Sequence, residues 1–512
     1  MTFKKCVQIV TTVVLVSTLA TVFRLSLRNA VPKRFETIPD APKIYPDYVE
    51  TTIPPNIAPI NFYIEDDASA YVTVVTGEKN GAEIVVAGRE VRLPEKKWRA
   101  LIRENAGSAL RFQVYEKTRA DRTWRAAAPF AVDVSEDPID SWLAYRLLAP
   151  GYDYGGWISL EERCLESYET RSLFDNRATG ACVNCHAFQN RRTEKYSIHY
   201  RPGRGLPNGG TMIALNGNYK KITGKIDEIN GRCSYPAWRP TGDLIACSSN
   251  KTFQALHSMS TQKIEVVDSE SDLVLIDAAT NRATVVTKTL DEFETFPQWS
   301  PDGAELYYCC AKVKLEVGLD RPTDRAEELA ANVSELRYNV YKREFNEETR
   351  EFGEPVLVVD ARAKERSALH PRVSPNGRFL VYVLVESGVF PLWRPEADLW
   401  IKDLTTGEER PLAAANDRNA ESYHTWDSSG KWLVFSSRRE DGQYARPYFT
   451  HVDENGTATK AFVLPQRDPL ANKKNFRAYN VPELLVEPVR DSNKRVYEAI
   501  TSKPQGMRRE KK

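Results

Sequence analysis

Cys182-Val183-Asn184-Cys185-His186 combines two thiols and an imidazole in a spacing that could do redox chemistry. On a helical turn, positions i, i+3 and i+4 share one face, so Cys182, Cys185 and His186 would project together. That arrangement suits attachment of a c-type heme: two thioether bonds to the porphyrin edge, and His186 on the iron. The chain holds 8 Cys and 6 His in 512 residues. Chance assembly of the pattern in such a chain is on the order of one in a thousand. A zinc ribbon would need a second C-x-x-C, and the sequence has none. A thioredoxin-like pair would need a βαβ pattern around the motif, and none is visible. The sequence therefore predicts one covalent heme c held by Cys182, Cys185 and His186.

The second axial position is open among His199, Met212, His257 and Met259. His199, just beyond the motif, is the leading metal ligand. An open or water-bound iron, or a neutral His199 packed on a strand, are the alternatives. Arg191, Arg192 and Lys195 could pair with heme propionates, or form a solvated charge cluster. Trp157, Tyr168, Phe174 and Phe188 could line the porphyrin, or pack an ordinary core.

The elements that must position these groups are read outward from the motif. Residues 136–200 are expected to form a short helical heme module, with a turn at Trp142–Leu148 ended by Pro150-Gly151. Residues 60–135 alternate like strands and are expected to form a small β-sandwich, with one helix started by Pro94 that buries Trp98, Leu101 and Ile102. Residues 31–59 carry seven prolines and read as a stiff extended linker. Residues 1–30 hold an apolar run, Val7 to Phe23, behind Lys4 and Lys5. This is read as an uncleaved signal anchor or, alternatively, the core of a cleaved signal peptide. Residues 501–512 read as a basic disordered tail. The 71 basic and 70 acidic residues balance, which leaves no nucleic-acid footprint.

From about residue 201 to 500 the chain repeats. Tyr235-Pro236-Ala237-Trp238-Arg239-Pro240-Thr241-Gly242, Phe296-Pro297-Gln298-Trp299-Ser300-Pro301-Asp302-Gly303, His370-Pro371-Arg372-Val373-Ser374-Pro375-Asn376-Gly377 and Tyr423-His424-Thr425-Trp426-Asp427-Ser428-Ser429-Gly430 each lead into an apolar strand. Each reads as a hairpin whose glycine takes positive φ. Trp238, Trp299 and Trp426 fill one core slot, which Val373 takes in the third repeat. The charged insert Lys312–Leu336 reads as an exposed loop with a helix, or a partner surface.

These W-S-P-D-G stretches resemble the β-propeller repeats of the TolB type (WD40-like), usually six-bladed. Together with Asp137-Pro138, Tyr145-Arg146-Leu147, Pro150-Gly151-Tyr152, Asn176-Arg177 and the heme motif, the chain is similar to exported bacterial proteins that join one C-x-x-C-H to such repeats. The resemblance covers most of residues 55–490. It implies a mainly β fold, a periplasmic body on the inner membrane, and a propeller with His199 near the heme. It says little about activity, because propellers host many functions.

Three functions are consistent with the sequence. The first is a membrane-anchored periplasmic cytochrome that passes electrons to or from a redox protein or membrane donor. The second is a heme oxidoreductase with a channel site at His370 and His424. The third is a binding scaffold with a structural or sensory heme. No G-x-S-x-G, H-E-x-x-H, P-loop or G-x-G-x-x-G occurs, so no catalytic residue is assigned. Cys233 and Cys247 flank one hairpin and could bridge in an oxidising compartment.

Overall fold

The structure is a computed structural model that describes residues 31–149, 156–202, 209–223, 232–256, 264–289, 291–313, 322–491 and 493–509. The signal-anchor reading of residues 1–30 lies outside the described residues, as do His257 and Met259. Among the described residues no helix is long and apolar enough to cross a membrane.

Two units divide the chain: residues 1–138 with 465–475, and residues 139–464 with 476–512. The first unit holds a seven-stranded sheet, a three-stranded sheet (Ile44–Tyr45, Phe62–Ile64, Glu90–Val91) and the helix Glu95–Glu104. Phe62, Phe112 and Phe130 meet in its core, with Phe112 and Phe130 stacked at 4.8 Å. The helix buries Trp98, Leu101 and Ile102, as its spacing predicts. The linker expectation does not hold. Strands Glu36–Thr37 and Thr52–Ile53 join the larger sheet, and Ile53 and Ile57 are buried. Prolines block hydrogen bonds only at their own nitrogens, and the isoleucines between them supply a face to bury.

The second unit consists of six four-stranded antiparallel meanders; one of them gains a fifth, parallel strand at its edge. The inner strands are Cys182–Phe188, Arg232–Trp238, Glu292–Trp299, Ser367–Val373, Glu421–Trp426 and Ala478–Leu485. Each inner strand contacts the next, and Ala478–Leu485 returns to Cys182–Phe188. The ring is a six-bladed β-propeller. The closing blade combines this C-terminal inner strand with Trp142–Leu148, Ile158–Cys164 and Thr170–Asp175, so both ends of the unit meet in one sheet.

Residues 136–200 are therefore not a helical heme module. They supply three strands of the closing blade and the first two strands of the first blade, and the helical turns among the described residues are short 3₁₀ turns at Asn176–Ala178 and Gln189–Arg191. The propeller begins near residue 139, not 201. The tail expectation is corrected as well. A helix, Asn493–Thr501, buries Val496 and Ile500, and Arg508–Arg509 pairs with Arg282–Ala283; residues 510–512 lie outside the described residues.

The turn glycines behave as predicted, with φ of 71° at Gly242 and Gly303, 75° at Gly377 and 72° at Gly430. The Cys233–Cys247 disulfide is present across its hairpin. The charged insert carries the helix Pro322–Ala331. The tryptophan slot joins neighbouring blades. The Trp299 indole N–H donates to the Ala237 carbonyl at 3.2 Å, and that of Trp426 to Arg372 at the same distance. Trp299→Ala is expected to cost about 3–5 kcal/mol, because a buried indole leaves a cavity. The check is urea unfolding followed by fluorescence and circular dichroism.

Candidate functional site

A single backbone device recurs in all six inner strands. Each carries one extra residue against its partner strand, and each has a non-glycine residue at positive φ there: Cys185 (45°), Tyr235 (49°), Phe296 (53°), His370 (53°), Tyr423 (51°) and Val481 (49°). Such a bulge bends a strand and re-aims a side chain. Four of the re-aimed rings converge. Phe296 lies 4.1 Å from His370, Tyr423 lies 4.5 Å from His370, and Tyr235 lies 4.4 Å from Phe296, centroid to centroid. Cys185 is buried among them and touches the backbone of Tyr235. Burial pushes its thiol pKa up.

Above Tyr235 and Tyr423 opens a cavity of about 400 Å³. Cys182, His199 and Arg201 line it from the first blade, Arg146 and Asn480 from the closing blade, and Trp393 and Arg438 from further round the ring. Arg438 is buried with its guanidinium 3.3 Å from the Trp393 ring centroid, and its Nε has no hydrogen-bond partner among the described residues. Burial draws its pKa down to about 9. Arg201 donates to the Cys182 sulfur at 3.2 Å. The His199 Nδ1 lies 3.1 Å from the Thr211 hydroxyl. Three guanidiniums around an aromatic-walled pocket suit an anionic ligand with an apolar body.

The motif residues do not share a face. Cys182 pairs with Arg201 and His186 with Ile198 across the same ladder. Arg201 and Ile198 are three positions apart on one strand, so their partners point to opposite sides of the sheet. His186 accordingly turns from the cavity toward the closing blade. It hydrogen-bonds to the Val481 backbone, and its Nε2 lies 3.9 Å from Glu483 Oε2. Desolvation, then the nearby Arg146 charge, lower its pKa to about 3, which keeps it neutral. Burial raises Glu483 to about 7. The fit to a heme is divided: Cys182, His199 and the cavity suit it, while Cys185, buried in the ring cluster and not in the cavity wall, and His186 do not.

The other sequence candidates separate likewise. Met212 is buried in a core cluster with Ile198, on the face away from His199. Phe174 and Phe188 pack in that same core, while Trp157 donates to Asp175 and Tyr168 lies under Arg163. Two of the three propionate candidates are used elsewhere: Arg191 donates to the Trp426 carbonyl at 2.8 Å, and Lys195 pairs with Asp243 at 2.8 Å. His424 donates from Nε2 to the Val381 carbonyl at 3.0 Å, and His370 is closed in by aromatic rings. Neither lines the cavity. Arg146 lies in a stretch that carries the resemblance, but no local pattern joins it to Arg201 and Arg438. Ring closure brings them together.

No protein-family model matches the chain, and no curated protein matches it in sequence. Among solved structures, TolB from Acinetobacter baumannii aligns over 76% of this chain and 84% of its own, at 12% identity and a TM-score of 0.42. An oligogalacturonate lyase from Vibrio parahaemolyticus aligns over 61% of this chain and 92% of its own, at 11% identity and a TM-score of 0.32. A puromycin hydrolase aligns over 63% of this chain but 45% of its own, at 11% identity and a TM-score of 0.37. These likenesses are low. The propeller assignment stands on strand order and on the closed ring of inner strands.

Neither nitrogen of His370 has a hydrogen-bond partner among the described residues. Burial, with Arg372 and His424 nearby, holds its pKa well below the ordinary imidazole value. The unfolded chain binds a proton there below about pH 6.5 and the folded chain does not, so stability falls on acidification. Phenylalanine already occupies the equivalent bulge at Phe296. His370→Phe should therefore fold at pH 7 with a Tm equal to or above that of the parent. Its advantage should grow by about 1.4 kcal/mol per pH unit as pH falls below 6.5. Chemical denaturation of both proteins across that range measures it.

Proposed function

We propose that the cavity at the mouth of the propeller holds one heme attached through Cys182 and Cys185, and that the protein carries electrons to or from a redox partner. The observation that carries this reading is the meeting of the C-x-x-C-H sequence with a built pocket: Cys182 and His199 share the wall of a cavity ringed by Arg146, Arg201 and Arg438. When bound, the heme supplies one-electron chemistry at a potential tuned by axial ligand and burial. The chain's own groups have separate tasks. The guanidiniums pair with carboxylates of the occupant. Tyr235, Tyr423 and Trp393 offer apolar faces to it. The ring cluster below keeps water from entering along the axis. His199 presents its imidazole to the cavity from the strand behind Cys182. His186, facing the other way, is assigned no role. By the sequence reading, the propeller body stands on the periplasmic face of the inner membrane, tethered by residues 1–30.

The orientation of His186 favours a second reading, in which the cavity takes an anionic organic ligand without iron and the propeller serves as a binding scaffold. One experiment separates the two. Protein made alongside a working cytochrome c maturation apparatus is run on a heme-stained denaturing gel, and its heme is quantified by pyridine hemochrome. One heme per chain is expected, lost in the Cys182→Ala/Cys185→Ala double variant, with a reversible couple in redox titration. Colourless protein with two free thiols at those positions would overturn the heme reading and leave the scaffold.

A further inference from the structure

A second cluster lies away from this cavity, between the second and third blades. Glu292 and Glu294 are two apart on the inner strand Glu292–Trp299, and so share a face. Cys310, on the strand Glu305–Lys312, is the ladder partner of Glu294. One ligand atom from each of Glu292, Glu294 and Cys310 lies within 4.8 Å of the others.

Glu294 is the unexpected member. It is 2% exposed, and its Oε2 has no hydrogen-bond partner among the described residues. Burial, then Asp272 of the second blade and Glu292, raise its pKa to about 8. Cys310 is also buried, and burial raises its thiol pKa. Two carboxylates and a thiol packed together repel when ionised, so each needs a proton or a shared counter-charge. Lys312 reaches only the outer member, Glu292, at 3.3 Å, and its side chain is 63% exposed. It can therefore swing aside at little cost. Glu292 is 29% exposed by its side chain, which leaves an entry path.

We propose that Glu292, Glu294 and Cys310 form a divalent metal site that prefers zinc. Mixed thiolate and carboxylate donors suit Zn²⁺ better than Mg²⁺ or Ca²⁺, which take oxygen ligands alone. Zinc–ligand bonds of roughly 2.0–2.3 Å require the donors to draw in by on the order of an ångström. Three protein ligands leave a fourth position for water, which enters past Glu292. Binding releases the protons of Glu294 and Cys310. The metal would tie the first two strands of the third blade together where its sheet faces the second. The site is independent of the heme reading.

Full-length purified protein is stripped with chelator, titrated with zinc chloride alone, dialysed and analysed for metal. The expected result is one zinc per chain beyond any iron, with a rise in Tm. Glu294→Gln imitates the protonated acid, so it should fold with unchanged circular dichroism, yet bind zinc at least tenfold more weakly and lose the Tm rise. Cobalt in place of zinc should give a thiolate charge-transfer band that disappears in Cys310→Ser. The proposal is overturned if no zinc is retained, or if Glu294→Gln retains it equally. It is also overturned if retention is lost only when Cys182 and Cys185 are replaced, which would place the metal at those thiols.

Discussion

One extra residue in each of six inner strands sets what the axis of this propeller can hold. At each bulge the backbone takes a left-handed conformation that non-glycine residues rarely adopt, and the cost is of order 1–3 kcal/mol per residue. The fold sustains it because the flanking ladder is intact on both sides. Tyr235, Phe296, His370 and Tyr423 are turned inward as a result, and their rings close the axis beneath the cavity. Cys185 occupies the same position in the first blade. Its burial is thus a property of the repeat before it is a property of any cofactor motif.

Much of this was legible in the sequence. The four glycine-turn hairpins announced themselves, because a turn needing positive φ selects glycine and three of the four carry a tryptophan at the blade interface. The helix at 95–104 followed from spacing, and the 233–247 bridge was one of the pairings the hairpin left open. The first blade hid because Phe188 stands in the tryptophan slot and its turn, Gln189–Arg191, contains no glycine; Asn190 and Arg191 take positive φ instead. Set beside the other repeats, Cys185-His186-Ala187-Phe188 aligns with Tyr235-Pro236-Ala237-Trp238, and that alignment was the missed signal. The closing blade hid for a different reason. Its strands lie more than 300 residues apart, and no local pattern links Trp142–Leu148 to Ala478–Leu485.

The same stretch supports two local structures. As a helical turn, the motif would gather its three functional groups on one side. As a strand, it sends Cys182 and His186 to opposite faces. Tertiary context decides between them. The strand gives Val183, Phe188 and their neighbours a core shared with the closing blade, and the Phe188 N–H donates to Glu483 at 3.0 Å. A helical turn at 182–186 would forfeit ladder bonds to Lys195–Arg201 and uncover that core. Burial of several large side chains outweighs the few tenths of a kcal/mol that separate helix propensities.

The position of His186 therefore carries the tension in any heme assignment. Its imidazole sits neutral beside Glu483, a carboxyl whose pKa burial raises, with Arg191 and Arg372 close enough to oppose that shift. Turning the ring into the cavity would break its hydrogen bond to the Val481 backbone and its approach to Glu483. Iron ligation by His186 would thus require this strand to reverse the face that its ladder with Ile198 sets. Ligation by His199 alone would leave that network undisturbed, because His199 already faces the cavity from the neighbouring strand. The two ligation schemes differ in what the folded strand must give up, and the opposite faces of a single strand are what separate them.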